Sequence, residues 1–372
     1  MYNKNNTAQK FRTYQSPPDI PLMIIIGCLA VLGVSIVFSS SVSHGIQDFN
    51  DQLYFFKKQL LSFGIGTVVM FFFSNFSYKK FQTNITFITN STIMLLVATA
   101  LFGSTIYGSK RWLLGFQPSE IAKFTCVAIL ADAIVRSKSI FDEYFIKKAV
   151  SICIILGLIM LQPDLGTTIV IFMGCLAVCV AGGISLQLLL SGFTLFATLA
   201  GFSILTMPHQ RERIEGWLNP WADPYDKGYN LIHSLYAISA GGFWGAGFGN
   251  SKQKLLWLPL GHIDFIFAIY AEEMGFLGCL LLVGLFMAFM HRGFLIGKRC
   301  QYQFGSLLAY GMTFCILFQA IVNICVATGL MPVTGVTLPL ISYGGTSVII
   351  TMAMIGILLN ISRQKIKRAI ND

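Results

Sequence analysis

Charge is what this sequence has least of. Asp, Glu, Lys and Arg together supply 11% of its 372 residues, and 55% are hydrophobic. Soluble domains carry about 25% charged residues, so that class is excluded. With a mean hydropathy of +0.69 and 32 Phe, the chain has more apolar surface than a single soluble core could bury. A disulfide framework is also missing. The nine cysteines are odd in number and lie almost entirely inside apolar runs, where they pack as small apolar residues. None pairs with another at zinc-site spacing near a histidine. No cleavable signal is expected either: residues 1–20 are polar, and the apolar run after them is long enough to span and stay.

Long hydrophobic runs are abundant. Ten are long enough to cross a bilayer, near 21–43, 59–76, 82–103, 119–136, 148–162, 166–184, 186–207, 264–290, 304–328 and 338–361. The expected fold is therefore an all-α polytopic membrane protein. One transmembrane domain, 21–361, lies between an N-terminal tail, 1–20, and a C-terminal tail, 362–372. Ten spans put both termini on one side. That side holds sixteen of the 26 Lys and Arg, against nine on the other, with Lys123 inside the fourth span. Positive charge marks the cytoplasmic side, so both termini are expected there. The net charge of +10 is then a topology signal, and no nucleic-acid partner is implied.

This orientation places the longest non-helical segment, 208–263, outside. Its length suits a functional loop, and "YNLIHSLYAIS" within it spaces Leu231, Leu235 and Ile238 as a short interfacial helix.

Ionisable residues within spans cost about 2.5–3.5 kcal/mol at the bilayer centre and are functional candidates. Glu120 and Lys123 are three apart on one helix face. They neutralise each other, or Lys123 binds an anionic headgroup with Glu120 orienting it, and both can hold together. In "GHIDFIFAIYAEEMGFLG", Asp264 lies at the outer end of a span. Glu272 and Glu273 fall about 12–13 Å deeper and around the helix from it. The shallow Asp suits proton transfer, and the two Glu suit contacts with neighbouring helices. Asp164 in "QPDLGTT" reads as a helix N-cap. Outward cations, Lys110 and Arg111, Arg211 and Arg213, Lys252 and Lys254, would suit phosphate. The run "GGFWGAGFGN" could bring backbone amides to an anion or simply form turns.

Six stretches in order, "GSKRWLLGFQPSEIAKF", "LQPDLGTT", "NPWADPYDKGYNLIHSL", "GNSKQKLLWLP", "GHIDFIFAIYAEEMGFLG" and "TGLMPVTGVTLPLISYGGTS", closely resemble the shape, elongation, division and sporulation (SEDS) family. "NPWADP" with "GNSKQK" looks like its division-type branch. The resemblance implies a peptidoglycan glycosyltransferase that polymerises lipid II at the outer face of the bacterial cytoplasmic membrane, at the division septum. A class B penicillin-binding protein transpeptidase and other division proteins would be its partners. "HIDFIF" matches the family's catalytic motif and assigns Asp264 as the catalytic residue. Ile263 replaces the usual Thr, and Leu260 stands where Glu is common. Arg111, Lys123, Arg213, Lys110 and Lys254 are the expected diphosphate-binding cations, with Glu120, Trp112, His262, Ser342 and Gly344 supporting. No ligand cluster specifies a metal, though a divalent cation (Mg or Mn) could share the diphosphate charge. A lipid II flippase and a non-catalytic division scaffold are the alternative readings.

Overall fold

The computed structural model describes residues 11–106, 109–255, 257–259, 261–363 and 365–369. Leu260 and residues 1–10 of the N-terminal tail lie outside that range. The chain begins with strand β1 (Phe11–Gln15) and continues through α1 (Ile20–Phe49), α2 (Tyr54–Asn75), α3 (Lys79–Thr83) and α4 (Ile85–Phe102). A hairpin of β2 (Ser104–Ile106) and β3 (Ser109–Trp112) precedes α5 (Pro118–Arg136), α6 (Glu143–Leu161), α7 (Leu165–Ala181) and α8 (Leu186–Thr206). Next come α9 (Pro208–Leu218) and α10 (Tyr229–Gly241), then α11 (Ile266–Arg299), α12 (Gln303–Ala327), α13 (Gly345–Ser362) and β4 (Lys365–Ala369).

Among the described residues, eight helices are long and apolar enough to cross a membrane: α1, α2, α4, α6, α8, α11, α12 and α13. The apolar α7 has 17 residues. The charge-bearing α5, which matches the fourth run, completes the ten helices expected from sequence. From Pro118 to Ala133 every residue of α5 except Ile121 and Phe124 is buried. Its charges therefore sit against protein, where a polar group can find a partner. Strands β1 and β4 pair antiparallel, Phe11 opposite Ala369, which holds the two chain ends together.

Helix α13 packs closely on α2. A Cβ on Gly356 would sit 2.4 Å from the Met70 carbonyl oxygen, so the glycine is what lets the two backbones meet. The last span is shorter than the 338–361 read from sequence. Residues 339–341 form a turn and 342–343 a bend, because Pro339 supplies no amide donor and Ser342 Oγ instead accepts from Leu338 N at 2.7 Å.

The expected helix at "YNLIHSLYAIS" is α10. It packs mainly on α11 and is fixed to α12 by Ser234 Oγ donating to the Ala327 carbonyl at 2.7 Å. The glycine-rich run after it has a structural task. Helix α11 breaks at Gly275, whose φ is 65°. The segment 242–247 lies across that break. Ala246 N and Gly247 N donate to the carbonyls of Glu272 and Glu273 at 2.9 and 3.0 Å, and Phe276 N donates to Gly242 O at 2.9 Å. Backbone groups freed by the break are thus satisfied by protein, as membrane depth demands. A Cβ on Gly245 would lie 2.2 Å from the Glu273 carbonyl at a φ of +85°. Gly245→Ala should therefore destabilise by about 1–3 kcal/mol, read as a lower Tm in detergent.

The two acids beside the break hold neighbouring segments. Glu272 accepts from Ser251 Oγ at 2.5 Å and from Lys252 N at 2.8 Å. Glu273 accepts from Ser39 Oγ at 2.6 Å and Lys254 Nζ at 2.9 Å. Asp132 is likewise structural, paired with Arg136 at 2.7 Å and bonded by the Tyr144 hydroxyl.

Candidate active site

Strand alternation in β3 sends successive side chains to opposite faces. Lys110 turns one way and donates to the Leu101 carbonyl at 2.8 Å. Arg111 turns the other way, into the bundle. Its Nε donates to Gln162 O at 3.2 Å, its Nη2 to the Pro163 carbonyl, and its Nη1 pairs with Asp164 Oδ1 at 3.4 Å. Asp164 also caps α7, accepting from Thr167 N at 3.2 Å. The capping expected there is present, and the same carboxylate fixes Arg111.

Three charged side chains converge on Gly335, in the irregular segment between α12 and α13. A Cβ built there would be 3.8 Å from Arg213 Nη1, 3.8 Å from Asp264 Oδ2 and 3.9 Å from Arg111 Nη1. The φ of Gly335 is +73°, a region where side chains are strained. Its missing side chain keeps the space between the three groups open. Helix α9 delivers Arg213, which is anchored by Nη1 to the Val333 carbonyl at 3.3 Å. Its Nε and Nη2 have no hydrogen-bond partner among the described residues. Asp264 lies two residues before α11 begins.

Two α12 side chains that sequence reasoning missed set this geometry. Asn323 Nδ2 donates to the carbonyls of Asp264 and Val336, both at 2.8 Å. It thereby ties the Asp264 loop to the Gly335 segment. One turn earlier, Gln319 donates to Thr337 O at 2.9 Å and accepts from Lys123 Nζ at 2.6 Å. A signal existed: two amides four residues apart in an apolar span share one helix face.

Lys123 is 3% exposed, and its ammonium meets both Glu120 oxygens, at 2.8 and 2.9 Å, besides Gln319. All three donors are used. The ion pair expected with Glu120 is present, and Lys123 braces α5 against α12 and, through Gln319, the Gly335 segment. Lys254 is similarly committed to Glu273 and Ser39. Of the five expected cations, the structure brings Arg111 and Arg213 to Asp264.

The supporting residues shape the surround. Trp112 ends β3, its carbonyl accepting from Ser104 Oγ at 3.2 Å. His262 accepts through its carbonyl from Tyr343 N at 3.0 Å. Ser342 O and Gly344 N are held by the Gln59 amide at 3.1 and 3.4 Å. The half-buried Ile263 adds no polar group beside Asp264.

Enclosure raises the Asp264 pKa to about 6, against the pull of Arg213 and Arg111, with Asp164 adding slightly to the rise. Part of the residue stays accessible, so water tempers the desolvation. Such a carboxylate is mostly ionised at neutral pH yet more basic than an exposed one, which suits a general base. Burial and Arg111 pull Arg213 below its usual value, countered by Asp264 and Asp164. One carboxylate between two guanidinium groups is a poor donor set for a resident metal. Among the described residues no group of three or more His, Cys, Asp and Glu could hold one.

Stage V sporulation protein E of Bacillus subtilis is 37% identical over 94% of this chain and 98% of its own length. A protein named probable peptidoglycan glycosyltransferase FtsW, from Coxiella burnetii, is 35% identical over 95% and 98%. A chain from the solved structure described as "Structural coordination of polymerization and crosslinking by a peptidoglycan synthase complex" superposes with a TM-score of 0.75. It is 30% identical, covering 93% of this chain and 98% of that one. The rod shape determining protein RodA of Thermus thermophilus gives a TM-score of 0.70 at 27% identity, covering 93% and 97%. The family described as "Cell cycle protein", FtsW/RodA/SpoVE, matches residues 20–367, and the chain belongs to it.

Proposed function

We propose that the chain is a peptidoglycan glycosyltransferase that polymerises lipid II at the outer face of the bacterial cytoplasmic membrane. The observation that carries this reading is the meeting of Asp264, Arg111 and Arg213 around Gly335. In this scheme Asp264 takes the proton of the acceptor sugar's 4-hydroxyl as its oxygen attacks the donor's anomeric carbon. The bond from that carbon to the diphosphate oxygen breaks, and the polyprenyl diphosphate leaves. Charge grows on the leaving oxygen, where preorganised cations lower the barrier most. Arg213 would meet it with its available donors, and Arg111 from a fixed position. Mg or Mn could accompany the diphosphate as part of the substrate.

The names of the relatives support the activity. The solved synthase complex supports a crosslinking partner, read here as a class B penicillin-binding protein transpeptidase. Work at the septum with other division proteins follows from the division-type motifs.

Purified protein in detergent, given lipid II, should make glycan strands. No second compartment exists there, so a transporter would yield none. Arg213→Met should lower kcat about 100-fold, and Arg213→Lys less, in the same strand assay. Equal rates in both variants would remove Arg213 from the leaving-group role.

A further inference from the structure

Two lysines are buried among the described residues, Lys123 and Lys148. Lys123 is paired with an acid. Lys148, on α6 and 8% exposed, has no carboxylate within ion-pair distance among the described residues. An ammonium carries three donors, and this one donates only to Thr86 Oγ1 on α4, at a long 3.3 Å. The Tyr144 ring adds a weak contact, its centroid 5.4 Å away. Asp132 of the adjoining α5 is already taken by Arg136 at 2.7 Å and by the Tyr144 hydroxyl. The exposed Lys147 pairs with Glu143 at 2.6 Å. Asp132 and Glu143 thus cancel Arg136 and Lys147, and Lys148 is the charge left over.

A cation unpaired inside a membrane bundle marks a functional site by default, and its place narrows the ligand. Thr86 is exposed, and so is Asn90, one turn along the same face of α4. The ammonium therefore lies just behind a surface that faces lipid. Met94, 68% exposed, continues that face toward the membrane centre, where an acyl chain would lie. Lys148 is about 7.5 Å from the start of α6. That end of the bundle also carries Lys79, Lys80, Arg136, Lys138 and Lys147, the positive charge that marks the cytoplasmic side. Side chains lean toward a helix's N-terminus, which brings the ammonium to the level of the inner leaflet's phosphates.

We propose that Lys148, with Thr86 and Asn90, binds the phosphate of an anionic phospholipid in the cytoplasmic leaflet, between α4 and α6. A phosphodiester oxygen supplies the acceptor that the ammonium lacks. A lipid with a net negative charge also cancels the leftover cation, which a zwitterionic lipid does not. Basic pockets between spanning helices on the cytoplasmic side suit such headgroups.

The test uses full-length protein, delipidated in neutral detergent and followed by native mass spectrometry. Phosphatidylglycerol, phosphatidylethanolamine and inorganic phosphate are titrated separately, and phosphate also against bound lipid. Phosphatidylglycerol should bind more tightly than phosphatidylethanolamine by about fivefold, the worth of one basic residue near an anionic surface. Lys148→Gln should remove that advantage, and Lys148→Arg should keep most of it. Lys147→Gln deletes a charge of the same sign one residue away and should leave lipid binding unchanged. Thr86→Trp alters an exposed position, so the fold should tolerate it, and should block the site; it serves if Lys148→Gln does not fold. Equal affinity for the two lipids, no loss in Lys148→Gln or Thr86→Trp, or an equal loss in Lys147→Gln overturns the proposal. So does inorganic phosphate that displaces the lipid at equal concentration, since the ligand would then be a soluble anion. No readout involves lipid II, so this site and the proposed activity fail separately.

Discussion

Replacing Asp264 with Ala or Asn should stop glycan synthesis in a protein that still folds. A positioned general base contributes about 10²–10⁴ in rate, and loss of at least 100-fold is expected. The fold should survive because Asn323 holds this residue by its backbone carbonyl, which either substitution keeps. Removing the carboxylate also leaves Arg213 and Arg111 in place, each with a carbonyl acceptor. Strand formation from lipid II, beside Tm in detergent, separates the two effects. An unchanged rate would overturn the role given to Asp264, and normal growth of an Asp264→Asn strain would favour the scaffold reading. In the wild type the base must be ionised. Its pKa is raised to about 6, so the rate should climb as pH rises through 6 and level off above. A profile that falls with rising pH across that range would mean the group acts as an acid.

Lys123→Met should give the largest loss of stability. It strands the Glu120 carboxylate, 5% exposed, without the cation that neutralises it and frees the Gln319 oxygen. Breaking one side of a buried pair costs about 3–5 kcal/mol. The double variant Glu120→Gln/Lys123→Met removes both charges and should recover much of that loss. A double variant no more stable than the single one would refute pairing as the main term. A separate variant reports on the brace: Gln319→Leu should impair glycan synthesis more than folding, since Gln319 holds the Thr337 carbonyl while Asn323 still holds that of Val336.

Much of the molecule was written in its one-dimensional patterns. Apolar runs fixed ten helices, and their boundaries mostly moved by a few residues, since burying an unbroken apolar stretch leaves the backbone little choice but a helix. One exception had a local cause, Pro339 before α13. The break in α11 was not readable, because it depends on backbone donors from Ala246 and Gly247 some thirty residues away. Likewise the run "GGFWGAGFGN" matched turn and anion readings equally until its partner strand of backbone was known.

Asp264, Arg111 and Arg213 could be named as candidates from residue type and motif, because scarce charges near a bilayer are costly and must be used. Which of the five cations would meet Asp264 was decided only by the fold. Lys254 looks equivalent to Arg111 in the sequence, but it is consumed by an acid nineteen residues away, whereas the pairing of Lys123 with Glu120 was one of the readings their spacing offered. Sequence spacing determines which side chains share a helix face. Electrostatic availability depends on every partner brought within a few ångströms, and that is settled only when the helices have packed.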